Sequence, residues 1–238
     1  MSSPPDAEAP PARKSQAREY LESVVVAVIL ALFIRTFVVQ AFKIPTGSME
    51  TNLLIGDHLL VNKLVYSPSA GGLEADALGK RPLDRGHVVV FKFPEDPARD
   101  FIKRVVGLPG ETVEIRGKRV YVDNEPLEEP YVHFLEPPRS RDHPEYGLRG
   151  EARRDDWGPE VVPEGHIFVL GDNRDNSRDS RFWGFLPIDQ VKGRALIVYW
   201  SYEATREEYH RTGVWEWIRD TVMAVGKTRW RRFFHVIR

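Results

Sequence analysis

The chain has 238 residues, 42% of them apolar, enough for one large or two small domains with real cores. Its formal net charge of -1 gives no support to a nucleic-acid partner. The absence of cysteine excludes disulfides, thiol catalysis and cysteine-held metals, but leaves an extracytoplasmic address open.

Met1 to Ala12 is Pro, Ala, Ser and acidic residues with almost nothing to bury, and reads as part of a disordered tail over residues 1–19. Arg13, Lys14 and Arg18 then precede an apolar run from Val24 to Phe42, whose first eleven residues, Val24 to Ile34, are all apolar. Nineteen helical residues reach about 28 Å, close to a hydrocarbon core of about 30 Å. A cleavable signal peptide is one reading, but Phe42-Lys43-Ile44-Pro45 is too bulky for a cleavage site. A buried core helix is a second. A signal anchor over 20–42 fits best, because basic residues ahead of the run hold the N-terminus in the cytoplasm and send the remainder across. Arg35 is the weak point, a charge whose position in the outer half makes snorkelling feasible.

Beyond the anchor the apolar segments are short and rich in Val, Ile, Phe and Tyr, as strands are. Strands are expected at Asp57–Tyr66, His87–Phe93, Phe101–Val106, Thr112–Ile115, Arg119–Val122, His166–Leu170 and Arg194–Trp200. Arg116-Gly117-Lys118 joins two of them as a tight hairpin. Long helical periodicity is absent before residue 213, so the expectation is a mostly β, antiparallel barrel or sandwich. Ser67–Arg85 and Tyr131–Pro163 read as surface excursions. Gly213–Arg238 mixes Trp215, Trp217, Ile218 and Trp230 with Arg229, Arg231 and Arg232, and fits equally a basic amphipathic helix on a membrane or a last strand after a loop.

Three places carry chemistry. Gly47 permits a turn that presents the Ser48 hydroxyl among amide N–H groups, although Pro-x-Gly-Ser is also an ordinary turn. A serine nucleophile needs a base, and neither a Gly-x-Ser-x-Gly elbow nor a Ser-x-x-Lys pattern is present. Lys103 is the other candidate: on a strand it shares a face with Phe101 and Val105, and desolvation lowers a lysine's pKa. That matters because at an ordinary pKa of about 10.4 only about one lysine in 2,500 is neutral at pH 7. The competing reading is a strand lysine with its head in water. Gly171–Arg181 is dense in opposite charges. Arg174 puts a cation where an EF-hand needs an oxygen and no glycine follows at the sixth place, so the stretch reads as a solvated turn or as a hydrogen-bonded scaffold.

Taken together, Pro45-Thr46-Gly47-Ser48-Met49, Gly56-Asp57, Lys103–Glu111 and Gly171–Arg181 resemble, in sequence and order, bacterial type I signal peptidases, which also carry an anchor just before the serine. The resemblance covers residues 20 to 200 in outline. It implies Ser48 as nucleophile and Lys103 as general base, with the Ser48 amide and the Thr46 hydroxyl as oxyanion hole. It further implies Ser177 as the hydroxyl orienting the lysine, Asp179 and Arg181 as a supporting ion pair, and Asp172 and Asn173 as structural residues. No cofactor or metal is implied. The implied partners are signal-peptide-bearing preproteins and the lipid bilayer, at a bacterial inner membrane with the catalytic part outside. The implied fold is an antiparallel catalytic β domain, 43–106 with 166–238, and a smaller β-rich insertion over 107–165. One departure is Thr51, where the family often has proline. The alternatives are a related Ser–Lys protease with a narrow or self-cleaving substrate, and an inactive module that binds export partners.

Overall fold

A computed structural model of the chain describes residues 16–63, 83–135, 154–203 and 226–237. The expected disordered segment Met1–Ala12, most of the first excursion and much of the second lie outside the described residues, as do 213–225. The chain divides into two compact units, 1–38 and 39–238.

In the first unit, α1 (Gln16–Phe33) runs on through a π-helical turn at Ile34–Val38. The segment Arg18–Val38 is 21 residues long and largely apolar, none of it buried, and at about 31 Å is long enough to cross a membrane. Arg35 sits in the closing turn. The helix had been expected to reach Phe42; instead it ends at Val38, and Val39–Lys43 forms strand β1. In that strand the backbone groups of Val39 to Lys43 pair antiparallel with Asn62 to His58. A paired strand of Val, Gln, Ala, Phe and Lys satisfies these groups where the apolar helix has run out.

The second unit is mostly β and wholly antiparallel in its strand ladders. Beside β1 lie β2 (Asp57–Asn62), β3 (Val88–Phe93), β4 (Asp96–Gly107), β9 (His166–Leu170), β10 (Leu186–Pro187), β11 (Val191–Ser201) and β12 (His235–Val236). They form one sheet in the order β1-β2-β11-β3-β4-β9-β10, with β12 also on β11. The long β11 is shared lengthwise: Val191–Arg194 pairs with β3, whereas Ile197 and Val198 pair with β12. A second sheet, in the order β7-β6-β5-β8, holds β5 (Thr112–Arg116), β6 (Arg119–Val122), β7 (Glu125–Pro126) and β8 (Trp157–Val161). The β5–β6 connection is the expected hairpin: Arg116 pairs with Arg119, and Gly117 and Lys118 both take positive φ, +54° and +70°.

Burial explains why these strands hold. Ile44, Met49 and Leu53 pack with Leu59, Val61 and Val88 in one core. Val89, Phe91, Val105, Ile167 and Val169 make a second, flanked by Phe101 and Trp183. Val106, Val113, Ile115, Phe168 and Leu170 join the two sheets in a third. Each such side chain contributes about 1.5–3 kcal/mol when fully buried. Strand β8 was not foreseen, since Gly158-Pro159 reads as a break; it nonetheless pairs with β5 through Thr112↔Val161 and Ile115↔Trp157. At the C-terminal end, the described part takes the strand alternative: a turn at Trp230–Arg232, then β12.

Candidate active site

Ser48 stands in the loop between β1 and β2, and the loop is bolted down from both ends. Its ends close on each other, with the Ile44 amide donating to the Asp57 carbonyl at 2.9 Å and Gly56 to Ile44 at 3.1 Å. Its middle is held by Met49 and Leu53, both fully buried. A Cβ at Gly47 would come within 2.7 Å of the Glu50 carboxylate, the end of a flexible side chain that would have to move aside. Thr46, half-buried, precedes Ser48 by two residues.

Lys103 comes from the middle of β4, where it pairs with Val89 of β3. Its Nζ lies 2.6 Å from Ser48 Oγ, and also donates to the Ile102 carbonyl at 2.9 Å. Ser48 is 7% and Lys103 3% exposed. The Phe101 ring, on the same face, lies 5.5 Å from the amine. Desolvation by this burial dominates, lowering the Lys103 pKa from 10.5 to about 8 against the opposing pull of Asp179 and Asp172. So 55 residues of sequence separation end in a buried amine–hydroxyl contact.

A scaffold of buried charges surrounds the pair. Asp172 and Arg104 form a bidentate pair at 2.8 and 2.7 Å, each 1% exposed. Arg104 also donates to the Gly86 carbonyl at 2.7 Å and stacks over the Tyr131 ring. Asp179 receives Arg181 at 2.8 Å on both oxygens and the Gly171 amide at 3.1 Å. Burial pushes the Asp179 carboxyl up, but Arg181 and these hydrogen bonds outweigh it and hold the group below the usual carboxylate range. Asn173 reaches the nucleophile loop directly. Its amide donates to the Ser48 carbonyl at 3.1 Å and its side-chain nitrogen to the Gly47 carbonyl at 3.2 Å. Ser177 is buried beside Gly171, where any Cβ would strike both Ser177 Oγ and, at 2.6 Å, the Ser48 carbonyl.

The arrangement brings Ser48, Lys103, Asp172, Asn173, Asp179 and Arg181 close together. No hydrogen bond joins Ser177 Oγ to Lys103, which donates to the Ile102 carbonyl and lies 2.6 Å from Ser48 Oγ; the Ser177 hydroxyl instead helps hold the Asp179 carboxyl below the usual range. Several supports were not foreseen. Asn52 ties the nucleophile loop to Asp172 at 2.7 Å, and Arg174 pairs with Glu129. Arg104 stood inside a quoted motif, and its apolar neighbours Val105 and Val106 were the available signal that it needed a buried partner. Among the described residues no group of three or more His, Asp or Glu converges as metal ligands would.

A buried amine of lowered pKa 2.6 Å from a buried hydroxyl is an arrangement in which a lysine can act as base to a serine. Comparison with known proteins identifies the family. Residues 17–200 match the family model described as signal peptidase, peptidase S26. A signal peptidase I of Leptolyngbya laminosa is 39% identical over 197 residues, covering 80% of this chain and 83% of its own. Those of Pseudomonas aeruginosa and Aquifex aeolicus are 36% and 33% identical over 77% of this chain, and are themselves covered to 72% and 84%. A crystal structure of a signal peptidase I from Enterococcus faecalis aligns over 48% of this chain and 97% of that one, at 31% identity and a TM-score of 0.37. The chain belongs to the signal peptidase family, peptidase S26, of serine endopeptidases.

Proposed function

We propose that this protein is a membrane-anchored signal peptidase that cleaves exported preproteins with Ser48 as nucleophile and neutral Lys103 as general base. The observation that carries this reading is the 2.6 Å approach of Nζ to Oγ inside a buried pocket that brings the amine's pKa to about 8. At pH 7 about one amine in ten is then neutral, against about one in 3,000 for an unperturbed lysine.

The steps balance as follows. Ser48 Oγ–H passes its proton to Nζ as Oγ bonds the scissile carbonyl carbon. The oxyanion is received by the Ser48 amide and the Thr46 hydroxyl, each donor worth about 3–4 kcal/mol. The lysine ammonium then protonates the leaving amine. Neutral again, it takes a proton from water as the water oxygen bonds the acyl carbon, and when that tetrahedral intermediate breaks the ester C–O bond it returns the proton to Ser48 Oγ, restoring serine and neutral amine. The ammonium stage explains a role for Ser177. An ammonium has three N–H donors, and Ser48 Oγ and the Ile102 carbonyl take two. The buried Ser177 hydroxyl, whose proton can point to Asp179, offers its oxygen as acceptor for the third. Ser177→Ala is accordingly expected to fold but to lose most of its rate.

Arg18–Val38 serves as the single span, with the N-terminus cytoplasmic and the β unit outside, and the smaller sheet at 112–161 lies within an insertion over 107–165. The substrate is an extended preprotein segment with small side chains such as Ala before the cut. The test is in vitro cleavage of a model preprotein by the full-length enzyme, with the new N-terminus sequenced. Ser48→Ala and Lys103→Ala are expected to abolish it, and normal cleavage by either variant removes the mechanism.

A further inference from the structure

After β7 the chain leaves its own sheet, and Glu129–Leu135 lies along the buried stretch Asp172–Asp175. It ties to that stretch, or to the groups that hold it, at every second residue, as an extended segment presents one face. Glu129 pairs with Arg174. The Tyr131 ring centre lies 3.9 Å from the Arg104 guanidinium, and the Tyr131 carbonyl accepts from the Asn52 side chain at 3.0 Å. The His133 amide donates to the Asp172 carbonyl at 2.8 Å, and the His133 carbonyl accepts from the Arg174 amide at 3.1 Å. The Leu135 amide donates to the Asp175 carboxylate at 2.8 Å. The steps of the reaction leave this strap without a role.

The contacts converge on Asp172. Its carboxylate takes two bonds from Arg104 and one from Asn52. Asn52 has two hydrogens on its amide nitrogen and directs one to Asp172 and one to Tyr131, while its own carbonyl is held by Arg232 at 2.7 Å. The nucleophile loop, the buried charges and the strap therefore meet at a single nitrogen. Next along the chain, Asn173 bonds the Ser48 and Gly47 carbonyls. The edge of the Arg104 guanidinium is committed to Asp172 and to the Gly86 carbonyl, which leaves its faces, and an aromatic face is the surface that attracts one. Tyr131 supplies that face. Its hydroxyl reaches Glu129 at 3.3 Å, and burial, with Glu129 beside it, holds its pKa above the ordinary value, so the residue is neither acid nor base here.

We propose that Tyr131 is a positioning residue for the reaction: its ring face fixes the plane of Arg104 against Asp172, and through Asp172, Asn52 and Asn173 it sets the loop that carries Ser48 against Lys103. The inference rests on Ser48 and Lys103 being the reacting pair. It carries an electrostatic consequence. The charged groups acting on Lys103 are Asp179, Asp172 and Arg181, and those acting on Tyr131 are Glu129, Arg104, Arg174 and Asp172. Replacing the ring leaves all these charges in place but loosens Arg104 from Asp172, and a less compensated Asp172 favours the Lys103 ammonium.

The test uses the full-length enzyme and a model preprotein, with kcat, KM and the pH–rate profile measured for three replacements. Tyr131→Phe keeps the face and should retain at least about half of kcat. Tyr131→Leu keeps apolar bulk without the face, and should lower kcat about tenfold with little change in KM, as a slightly misplaced nucleophile does. Its pH–rate limb should also move to higher pH. Pentafluorophenylalanine at 131 keeps the size of phenylalanine while reversing the charge of the face, so it should follow Leu and not Phe; this comparison stands even where the Leu variant fails to fold. Pentafluorophenylalanine that performs like Phe would overturn the proposal, because packing alone would then suffice. So would a Leu variant whose loss lies in KM, or whose plateau falls with the limb unmoved. Normal cleavage by Ser48→Ala or Lys103→Ala would instead refute the underlying mechanism, a separate result.

Discussion

In the proposed mechanism Lys103 ties rate and stability to one proton, and both follow from its burial. Activity requires the neutral amine, so with a pKa of about 8 the value of kcat/KM should rise about tenfold per pH unit below 8 and level off above it. At pH 7 the enzyme should run at about a tenth of its plateau, and at pH 6 at about a hundredth. Stability moves in the same sense. Between pH 8 and 10.5 the unfolded lysine keeps a proton that the folded one has lost, so folding stability climbs with pH across that window. At pH 7 the buried amine therefore costs about 3 kcal/mol. Lys103→Met removes that cost but also the hydrogen bonds to Ser48 and Ile102, worth about 1 kcal/mol each. The inactive variant should be more stable than wild type by about 1 kcal/mol at pH 7, and less stable above pH 10.5. The assays are initial rates on a model preprotein from pH 6 to 10 and urea melts of both proteins over the same range. A rate that is flat between pH 6 and 8, or whose limb centres near 10.5, would refute the reasoning. So would a stability difference that does not change with pH.

Two further outcomes follow from the scaffold. Asn173→Ala removes the side-chain bond to Gly47 while leaving the backbone bond to Ser48. It should lower kcat by about ten- to a hundredfold with little change in KM, because a nucleophile misplaced by about 1 Å loses about that much; steady-state kinetics decides, and a pure KM effect would contradict it. Arg104→Met leaves the Asp172 carboxylate buried without its bidentate partner, and should destabilise by about 3–5 kcal/mol, read as a lowered urea midpoint.

The sequence was most legible where function compresses it. Ser48, Lys103 and the Gly171–Arg181 stretch each lie in a short motif, ambiguous alone, and it was their joint resemblance to a family that implied their roles before any distance was known. What brought them together was not local: Lys103 meets Ser48 across 55 residues and Asn52 meets Asp172 across 120. No window of sequence carries such pairings, which is why Asn52, Arg104 and Arg232 went unnoticed as supports. The boundary at Val38 was missed for a different reason. Val38, Val39, Ala41 and Phe42 are apolar alike, and only pairing with β2 decides that the last of them are strand. Strand β8 was hidden by Gly158-Pro159, a dipeptide that reads as a break but is tolerated in an edge strand such as this one.

The charges around Lys103 explain why burial, and not attraction, sets its pKa. Two buried carboxylates nearby, Asp179 and Asp172, favour the ammonium, yet each is locked to a guanidinium, Arg181 and Arg104. The carboxylates are largely neutralised, so desolvation prevails and the amine loses its proton near pH 8. This makes the supporting ion pair an electrostatic device as well as a mechanical one, and the two roles separate experimentally. Arg181→Gln would leave Asp179 uncompensated, stabilise the ammonium and move the limb of the pH–rate profile to higher pH. Asp179→Asn would leave Arg181 uncompensated and move the limb to lower pH. A purely mechanical pair would lower the plateau in both variants without moving either limb, or would move both in the same direction. Limbs displaced in opposite directions, whatever the plateau, are the signature of charge balance.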